Sequence, residues 1–473
     1  MISRAVYNPL NGRLTAGAAG SFSYEVAKTE EDSNHWCVTE NNRNNARNVN
    51  FSNGNANNNN KYNGNVIRPV AAFGGYVVPE DFINSVWDAY YDCLRGKSRS
   101  EQAVEYMQIA AEDIPKLTYE LWTNTYKPGT STCFLVRYPK LREVFAAGFR
   151  DRIVHHWVCL RLEPLFEERF VAQGNVSFNC RKGFGTEAAV NYVAEGMRRV
   201  SDNYHKPAWV FRGDLVGFFM SIDKQRLWYR LQRFIVRRYH GAYKDILLRT
   251  TRIIVMHRPE RDCVLNSPVS WWHGLAPNKS LFTTETGMPI GNLTTQLFAN
   301  FFMSHFILYV LWLYRRKNYI VAQFVDDFVI VCDDLRFLVD SIPLIEAFLR
   351  DKLGLTLHKD KRYLQPVSHG VLFVGTYIKP GRLYLSNRTL ARLKERCEGY
   401  GKMFVEKECD HVDLSRIEQV LNSYMGFCLR RQTYQFRQTC IDAMGPEFWL
   451  YFMVIGLYNM VRPKSKYSLT FNI

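Results

Sequence analysis

The sequence predicts an α+β fold in which an antiparallel sheet carries helices on one face. Two stretches rich in β-forming residues, Ala208–Ile222 and Tyr319–Cys332, each contain aspartates next to a turn. Between them, Asn292–Tyr314 has the three- and four-residue apolar spacing of a helix, and the chain from Asn387 onward has mostly helical spacing. Strands that carry acids and are interleaved with helices are typical of this fold class.

Helical spacing also predicts shorter segments elsewhere, namely Asp81–Arg95, Ser100–Ala111 and Ser341–Leu353. Two apolar runs are too short or too interrupted to cross a bilayer and are expected to be buried helices: Phe301–Tyr314 and Phe448–Val461. Asp223 is expected to cap the helix that begins near Lys224.

Two further regions are predicted to be strands. Thr132–Val144 is basic and rich in β-forming residues. Phe373–Leu385 is predicted to be a hairpin, because Pro380 and Gly381 are the residue types that turns favour.

Composition limits the classes of protein to consider. The chain has 473 residues, of which 47% are apolar, which suits about two to four domains with buried cores. The formal charge of +16 favours a polyanionic partner, because contacts with phosphates release condensed counterions. The 11 cysteines include no CxxC pair, and the first residues lack the apolar core of a signal peptide. We therefore expect a cytoplasmic protein without disulfides and without a membrane span.

One segment near the N-terminus differs from the rest. Between Asn41 and Asn65, 14 of 25 residues are Asn, which favours turns and buries little apolar area. We expect residues 1–75 to be poorly ordered, with a polar linker as the simplest interpretation.

The adjacent pair Asp326-Asp327 is the most informative motif. It lies between two apolar β-runs, so the sequence predicts a hairpin with both carboxylates at its tip. Close carboxylates repel each other and are costly to desolvate, and a divalent cation relieves both penalties. Asp214, at the end of the other β-run, could complete the same site, and carboxylate oxygens favour Mg²⁺. A pair of aspartates in an ordinary turn is the alternative, and Asp214 together with the intervening GMPIG motif argues against it.

Several motifs in fixed order resemble those of reverse transcriptases. They are FRGDLVGFFMSID, GMPIGNLTTQLFAN, FVDDFVIV, LTLHKDKRYLQ and FVGTYIKPGRLYL, preceded by KLREVFAAGFRDRIVHHWV and FNCRKGFGT. The resemblance implies a right-hand polymerase that makes DNA on an RNA template, with two Mg²⁺ ions, or Mn²⁺ in their place, as cofactors. It divides the chain into an N-terminal segment (1–75), fingers (76–207), palm (208–386) and a helical thumb (387–473).

The resemblance also implies roles for individual residues. The metal ligands would be Asp214, Asp326 and Asp327, with the backbone of Leu215. Residues that contact the incoming nucleotide would be Lys140, Arg142, Arg152, Phe219, Ile290, Gly291, Gln296 and Lys361. Phe219 would be the steric gate that rejects ribonucleotides, with Phe218 as the alternative, and Lys359 is the alternative to Lys361. Template and primer contacts would be Arg181, Lys182, Gly183, Tyr377 and Gly381.

The segment IGNLTTQ, Ile290 to Gln296, resembles the signature of reverse transcriptases from diversity-generating retroelements. Most other reverse transcriptases have Gln in its first position, where hydrogen bonds to the incoming nucleotide are made. Because isoleucine cannot make such bonds, the resemblance implies an error-prone enzyme whose errors concentrate at template adenines. The alternative is that Ile290 only repacks the pocket.

The same resemblance implies partners. These are template RNA, the primer and its cDNA, dNTPs, and a small basic accessory protein, the accessory variability determinant. We also hypothesise that Trp36–Phe73 is the translation of an overlapping template repeat, because Asn codons are rich in adenine. SYMGFCLRR, Ser423 to Arg431, resembles a thumb helix, and the basic residues around it suit a template–primer duplex.

Three other interpretations remain open. The first is a reverse transcriptase of another bacterial class, such as the intron, retron or antiphage defence types. The second is an RNA-dependent RNA polymerase, against which Phe219 argues. The third is a basic RNA-binding scaffold without catalytic activity, against which the three aspartates argue.

Overall fold

The structure is a computed structural model. It describes the side chains of residues 78–465, except Lys97, Arg99, Tyr138, Pro139 and Lys407, and before residue 78 only the backbone of short strands. Those strands are β1 Ala5–Asn8, β2 Arg13–Ala16, β3 Ser23–Glu25, β4 Asn34–Glu40, β5 Asn45–Asn50, β6 Ala56–Asn60, β7 Ala71–Phe73 and β8 Tyr76–Val77. They pair in two antiparallel sheets, in the orders β1–β2–β3–β7–β8 and β4–β5–β6. The prediction that residues 1–75 are poorly ordered falls outside the residues whose side chains are described.

Helices and strands alternate through the rest of the chain, which confirms the predicted α+β class. Within the described residues the helices are α1 Glu80–Leu94, α2 Glu101–Thr123, α3 Phe149–Ala172, α4 Thr186–Val200, α5 Phe218–Ser221, α6 Lys224–Arg238, α7 Lys244–Met256, α8 Leu293–Tyr314, α9 Leu335–Phe348, α10 Asn387–Glu406, α11 His411–Cys428, α12 Tyr434–Asp442 and α13 Phe448–Tyr451. The strands are β9 Ser131–Val136, β10 Arg142–Ala146, β11 Trp209–Gly213, β12 Cys263–Leu265, β13 Tyr319–Phe324, β14 Asp327–Cys332, β15 Tyr363–Pro366, β16 Val371–Phe373, β17 Thr376–Lys379, β18 Arg382–Leu385, β19 Phe452–Ile455 and β20 Met460–Pro463.

The chain forms two compact units, each built from two segments. The first unit is Met1–Ala172 with Gly217–Phe302, and the second is Gln173–Val216 with Met303–Ile473. The segments of the two units alternate along the sequence, whereas the predicted fingers, palm and thumb follow one another. The bounds of the fingers, palm and thumb stay predictions.

In the first unit, aromatic packing holds the helices together. Phe82 of α1 lies among three rings, with centroid distances of 5.4 Å to Trp122, 5.7 Å to Trp157 and 4.9 Å to Tyr243. The sheet of this unit has the order β10–β9–β12, with β9 antiparallel to β10 and parallel to β12. The predicted basic strand region is therefore a hairpin.

In the second unit, the central sheet has the order β13–β14–β11–β15, with each neighbouring pair antiparallel. Helix α4 packs on β13 and β14 and buries Val329, Val331 and Ala322 in one cluster. Phe328 of β14 instead packs against Phe306 of α8, at a centroid distance of 4.8 Å, so helices cover both faces and not the one face that the sequence predicted. The predicted hairpin around Asp326-Asp327 is confirmed as β13–β14, and the one around Pro380-Gly381 is confirmed as β17–β18.

Helix α8 is long and apolar enough, by composition alone, to cross a membrane. However, 67% of its apolar window is buried inside the protein, as expected for a core helix. It covers the predicted run Phe301–Tyr314, and Asp223 caps α6 as predicted, accepting hydrogen bonds from the backbone N–H groups of Gln225 and Arg226.

The prediction of a buried helix over Phe448–Val461 is wrong. The chain leaves α13 after one turn and forms the hairpin β19–β20. Gly456 and Tyr458 have φ values of 63° and 56° in the connecting loop, a conformation that no helix continues.

Two arginines of the predicted thumb have an unexpected role. Arg431 and Arg437 are each 6% exposed. Arg431 donates to Glu187 of α4 (2.7 Å) and to Thr376 of β17 (2.9 Å), and Arg437 donates to the backbone oxygen of Tyr458 (2.6 Å). These two residues therefore hold the protein together and do not present charge to a duplex.

His155 of α3 gives the first unit a pH-dependent stability. The residue is buried, and its Nδ1 lies 2.6 Å from Oγ1 of Thr294. Burial lowers the pKa of His155 from 6.5 to about 3, and the nearby His257, His156 and Arg152 act in the same direction. The folded protein therefore keeps this ring neutral at pH values where the unfolded chain binds a proton.

We predict that stability falls as the pH drops below about 6.5, by about 1.4 kcal/mol per pH unit from this group. Urea unfolding at pH 7.5 and pH 5 should show wild type losing about 2 kcal/mol more than His155→Gln. Exposed His205→Gln is the control and should behave like wild type. Equal pH dependence in wild type and His155→Gln would contradict the prediction.

Candidate active site

The central sheet of the second unit brings Asp214 and Asp327 side by side. Strand β11 ends at Gly213, whose partner in antiparallel β14 is Phe328. The next residues in the same register are Asp214 and Asp327. The predicted meeting of Asp214 with the acidic hairpin therefore occurs at one end of this sheet.

Arg212, two residues before Asp214, holds Asp327 with a bidentate ion pair. Its Nε and Nη2 donate to the two carboxylate oxygens at 2.9 and 2.7 Å, and the side chains are only 18% and 16% exposed. Burial raises the pKa of Asp327, Arg212 opposes this rise, Asp214 adds to it and Lys361 opposes it. The negative charges of Asp214 and Asp327 therefore repel each other, and the positive charges of Arg212 and Lys361 offset this repulsion.

Lys361 is the cation nearest Asp214. Its Nζ lies 2.8 Å from Oδ2 of Asp214, and the aspartate side chain is 14% exposed. The backbone of Asp214 is fixed as well, because its carbonyl accepts a hydrogen bond of 2.8 Å from the N–H of His358. Buried Leu215, the predicted backbone ligand, forms a bridge with Leu357. Both Lys361 and Lys359 are exposed, and the ion pair with Asp214 favours Lys361.

The hairpin tip has a strained backbone at Val325, directly before Asp326. Its φ is 58°, a conformation that costs a β-branched residue about 1–3 kcal/mol. Asn179 compensates by accepting the Val325 N–H at 2.9 Å, and Gln323 Nε2 donates to the Val325 carbonyl at 2.6 Å. These bonds fix the backbone from which Asp326 projects.

The fit of this site to a metal can be judged from the donors. Asp214 and Asp327 supply hard carboxylate oxygens at neighbouring positions, the ligand type that Mg²⁺ prefers. Within the described residues, no three His, Cys, Asp or Glu side chains form a group arranged to hold a metal ion. Arg212 and Lys361 instead neutralise the two carboxylates. The donor chemistry fits, and the ligand set of Asp214, Asp326 and Asp327 stays a prediction.

In the first unit, the segment Met288–Thr295 is fixed by hydrogen bonds to its surroundings. Its backbone bonds join Met288 N to Phe219 O (2.8 Å) and Phe145 N to Ile290 O (2.7 Å). The Thr295 hydroxyl donates to the carbonyl of Pro289 at 2.7 Å, so it closes the segment on itself.

Gly291 is required by its close approach to β10. Its φ is 130°, and a Cβ atom at this position would lie 2.5 Å from the carbonyl oxygen of Phe145. Asn292 adds a side-chain contact by accepting the N–H of Ala147 at 3.2 Å. Gln296, one turn into α8, is exposed.

Ile290 packs its side chain in an apolar cluster with Cys133, Phe145, Met220 and Leu281. Because all of these neighbours are apolar or sulfur-bearing, this position offers an aliphatic surface.

The structure distinguishes the two candidates for the steric gate. Phe218 is buried, whereas Phe219 is only partly buried, and their ring centroids are 5.2 Å apart. Phe219 is therefore the ring with an accessible surface.

The basic residues of the fingers occupy different environments. Lys140 and Arg142 are exposed. Arg152 donates from Nε to the carbonyl of Ala147 (2.8 Å) and from Nη2 to Gln102 (2.7 Å). Arg152 would have to exchange these partners to grip a triphosphate.

The residues of the predicted template loop also differ in exposure to solvent. Arg181 is 7% exposed and donates to the Ser177 carbonyl and the Asn175 side chain, both at 2.7 Å. The prediction that Arg181 contacts the template does not fit this position, because its guanidinium is used inside the loop. Lys182 and Gly183 are exposed, and Gly183 has a φ of 79°.

The predicted primer-binding residues lie on the hairpin β17–β18. Tyr377 pairs with Tyr384 and donates its hydroxyl to the carbonyl of His369 at 2.8 Å. Gly381, with a φ of 68°, forms the turn and has open space where a side chain would be.

Comparison with known families decides the classification. Residues 140–378, half of the chain, match the family described as reverse transcriptase (RNA-dependent DNA polymerase). This chain belongs to the reverse transcriptase family. The matched range contains both aspartate strands and the Ile290 segment, and it confirms the predicted enzyme class and fold class. This match does not distinguish reverse transcriptases of diversity-generating retroelements from those of other classes.

Comparison with solved structures and curated proteins adds little about this reverse transcriptase. Among the similar structures, apo telomerase from Candida tropicalis truncated from its C-terminal domain is 10% identical over 57% of this chain, with a TM-score of 0.40. Telomerase from Candida albicans with a TWJ fragment of telomeric RNA is 11% identical over 74% of this chain, also at 0.40. The reverse transcriptase spans 59% and 65% of these two chains. No curated protein matches.

Sequence reasoning missed three residues with structural roles in this reverse transcriptase, two in the second unit and one in the first. Arg212 pairs with the carboxylate of Asp327, and Asn179 accepts the backbone N–H of Val325. Buried Glu143 accepts hydrogen bonds from Trp272 (2.8 Å), Ser280 (2.7 Å) and the backbone of Leu281 (2.7 Å). The sequence does contain one indication that Glu143 is buried, because it is an acid within an apolar strand, next to Arg142.

Arg212→Met should destabilise this reverse transcriptase by about 3 kcal/mol, because it leaves the carboxylate of Asp327 buried without its main partner. Urea unfolding measures the change. The matched control is Arg350→Met, whose partner Asp351 is exposed, and which should lose much less. Equal losses in the two variants would contradict a structural role for the Arg212–Asp327 pair.

Proposed function

We propose that this reverse transcriptase copies a template-repeat RNA into cDNA that is mutated at template adenines, for a diversity-generating retroelement. The observation that carries the polymerase assignment is the placement of Asp214 beside Asp327 at one end of the central sheet. Carboxylates with counter-cations at such a position are suited to electrostatic catalysis on phosphates.

Each functional residue has a defined task in this proposal. Asp214, Asp326 and Asp327 would hold two Mg²⁺ ions, with Mn²⁺ as a substitute, which help to activate the primer hydroxyl and stabilise the leaving pyrophosphate. Lys361, which lies 2.8 Å from Asp214, would act as the proton donor to the leaving pyrophosphate. Phe219 excludes a ribose 2′-hydroxyl by its bulk, so dNTPs are the substrates.

Ile290 supports the mutagenic assignment. Its side chain is part of an apolar cluster and cannot make the hydrogen bonds that a glutamine makes. A site with fewer directional contacts discriminates less between correct and incorrect nucleotides. Other classes of reverse transcriptase, with a glutamine at this place, are the alternative that the fidelity experiment below addresses.

The proposed partners follow from the same assignment. They are template RNA, a primer extended as cDNA, dNTPs, and the small basic accessory variability determinant. We also propose a cytoplasmic location, where a genome-encoded RNA and its target would be available.

Asp326→Asn should lower DNA synthesis on an RNA template by about 10³-fold, because it removes a charge that offsets several kcal/mol in the transition state. Primer extension measures synthesis, and RNA binding should be retained. Asp333→Asn is the matched control, because Asp333 is exposed beyond the far end of the same hairpin. Unchanged synthesis in Asp326→Asn would overturn the polymerase assignment.

Ile290→Gln should lower the error rate at template adenines by about tenfold, the effect of one recovered hydrogen bond. Sequencing of the cDNA gives the error rate at each template base. Ile109→Gln, the same substitution at a residue that is 52% exposed, should leave the errors unchanged. Uniformly low errors in wild type at all four bases would point to another class of reverse transcriptase.

A further inference from the structure

Helix α6 combines a strong positive charge with the absence of acids. It contains one lysine and five arginines among 15 residues, with no Asp or Glu. Acids beside it include the capping residue Asp223, which lies 3.9 Å from Arg226, Glu168, which lies 2.9 Å from Arg238, and Glu260 near Lys224. By contrast, α10 carries its basic residues together with three glutamates. The charge of α6 is therefore not neutralised along its own length.

The buried and exposed positions of α6 are clearly separated. Leu227, Leu231 and Ile235 form the buried face. Arg226, Arg233 and Arg237 are exposed, and they lie at spacings of seven and four residues, so they share one face. The distance from the first to the last is about 16 Å along the helix axis.

Two exposed apolar side chains lie among these arginines. Tyr229 is 56% exposed and Val236 is 51% exposed. The guanidinium of Arg233 lies 5.2 Å from the ring centroid of Tyr229, in a cation–π contact. We call Arg226, Tyr229, Arg233, Val236 and Arg237 the α6 strip.

The strip continues into an open cleft of about 580 Å³ at the C-terminal end of α6. Arg161, Arg237, Arg238 and His240 line it, with Glu168 as its acid. Glu168 pairs with Arg238 at 2.9 Å, and Arg237 has no acidic partner among the described residues. The cleft therefore keeps a positive balance.

We propose that the α6 strip is an RNA-binding surface additional to the predicted template and primer contacts, and that it binds the phosphate backbone of structured RNA. Arginine forks bind phosphate oxygens in pairs, and an exposed tyrosine stacks on an unpaired base. A basic accessory protein would be repelled by this charge. A membrane surface is disfavoured because only two apolar side chains are exposed.

The inference rests on the proposed function in one respect, since RNA is taken as the natural polyanion of this enzyme. Binding is therefore measured separately from synthesis. The probes are a long structured RNA, for affinity at several salt concentrations, and a short template–primer duplex, for DNA synthesis. If the wild-type protein makes no DNA on the short duplex, the proposed function is refuted, and the comparison of RNA affinities can still be made.

The test variant is Arg226→Gln with Arg233→Gln and Arg237→Gln. We expect the slope of log affinity against log salt to fall by about 2, since each lost phosphate contact contributes about 0.7. At ~0.15 M salt, binding of the long RNA should weaken at least about tenfold. Synthesis on the short duplex should be unchanged.

The control variant removes the same charge elsewhere, as Arg198→Gln with Lys206→Gln and Arg350→Gln. These three residues are exposed and each is paired with an acid, namely Glu195, Asp202 and Asp351. Thermal unfolding establishes that both triple variants fold. If RNA binding weakens equally in both variants, the effect comes from net charge alone and the proposal is overturned. Unchanged RNA binding in the test variant would also overturn it. Loss of binding to vesicles of anionic phospholipid, with RNA binding retained, would also overturn it.

Discussion

Electrostatic repulsion between neighbouring carboxylates is the constraint on which the candidate active site depends. The antiparallel register of β11 and β14 makes Asp214 and Asp327 neighbours, and both are largely removed from water. Arg212 and Lys361 supply the compensating positive charge. Arg212 comes from β11 itself, and Lys361 comes from the chain just before β15, the strand that pairs with the other edge of β11.

The hairpin tip shows a second form of compensation, in the backbone. Val325 holds a conformation that β-branched residues avoid, and Asn179 and Gln323 satisfy its N–H and carbonyl groups. Because Asn179 belongs to a loop far away in sequence, the strained turn depends on tertiary structure. This explains why two apolar runs around an acidic pair reveal the hairpin but not the geometry of its turn.

Local patterns predicted much of this fold. The hairpins β13–β14 and β17–β18 and the long helix α8 follow from spacing and turn residues, because each is determined within its own segment. The sequence failed where partners are distant. Arg431 and Arg437 look like surface charges, yet acceptors from other elements hold them, whereas Arg181 is held by acceptors within its own loop. The hairpin β19–β20 was mistaken for a helix, because an apolar run does not by itself distinguish the two.

The alternation of side chains along β10 has a consequence for how this region can change. Arg142 points to solvent, and the adjacent Glu143 points inward to Trp272, Ser280 and Leu281. Deleting a single residue within the strand would exchange the two faces, driving a guanidinium into the interior and turning the carboxylate outward. Substitutions at many positions can be absorbed by repacking, but a change of strand length cannot. The spacing of this strand should therefore be preserved even where its composition drifts.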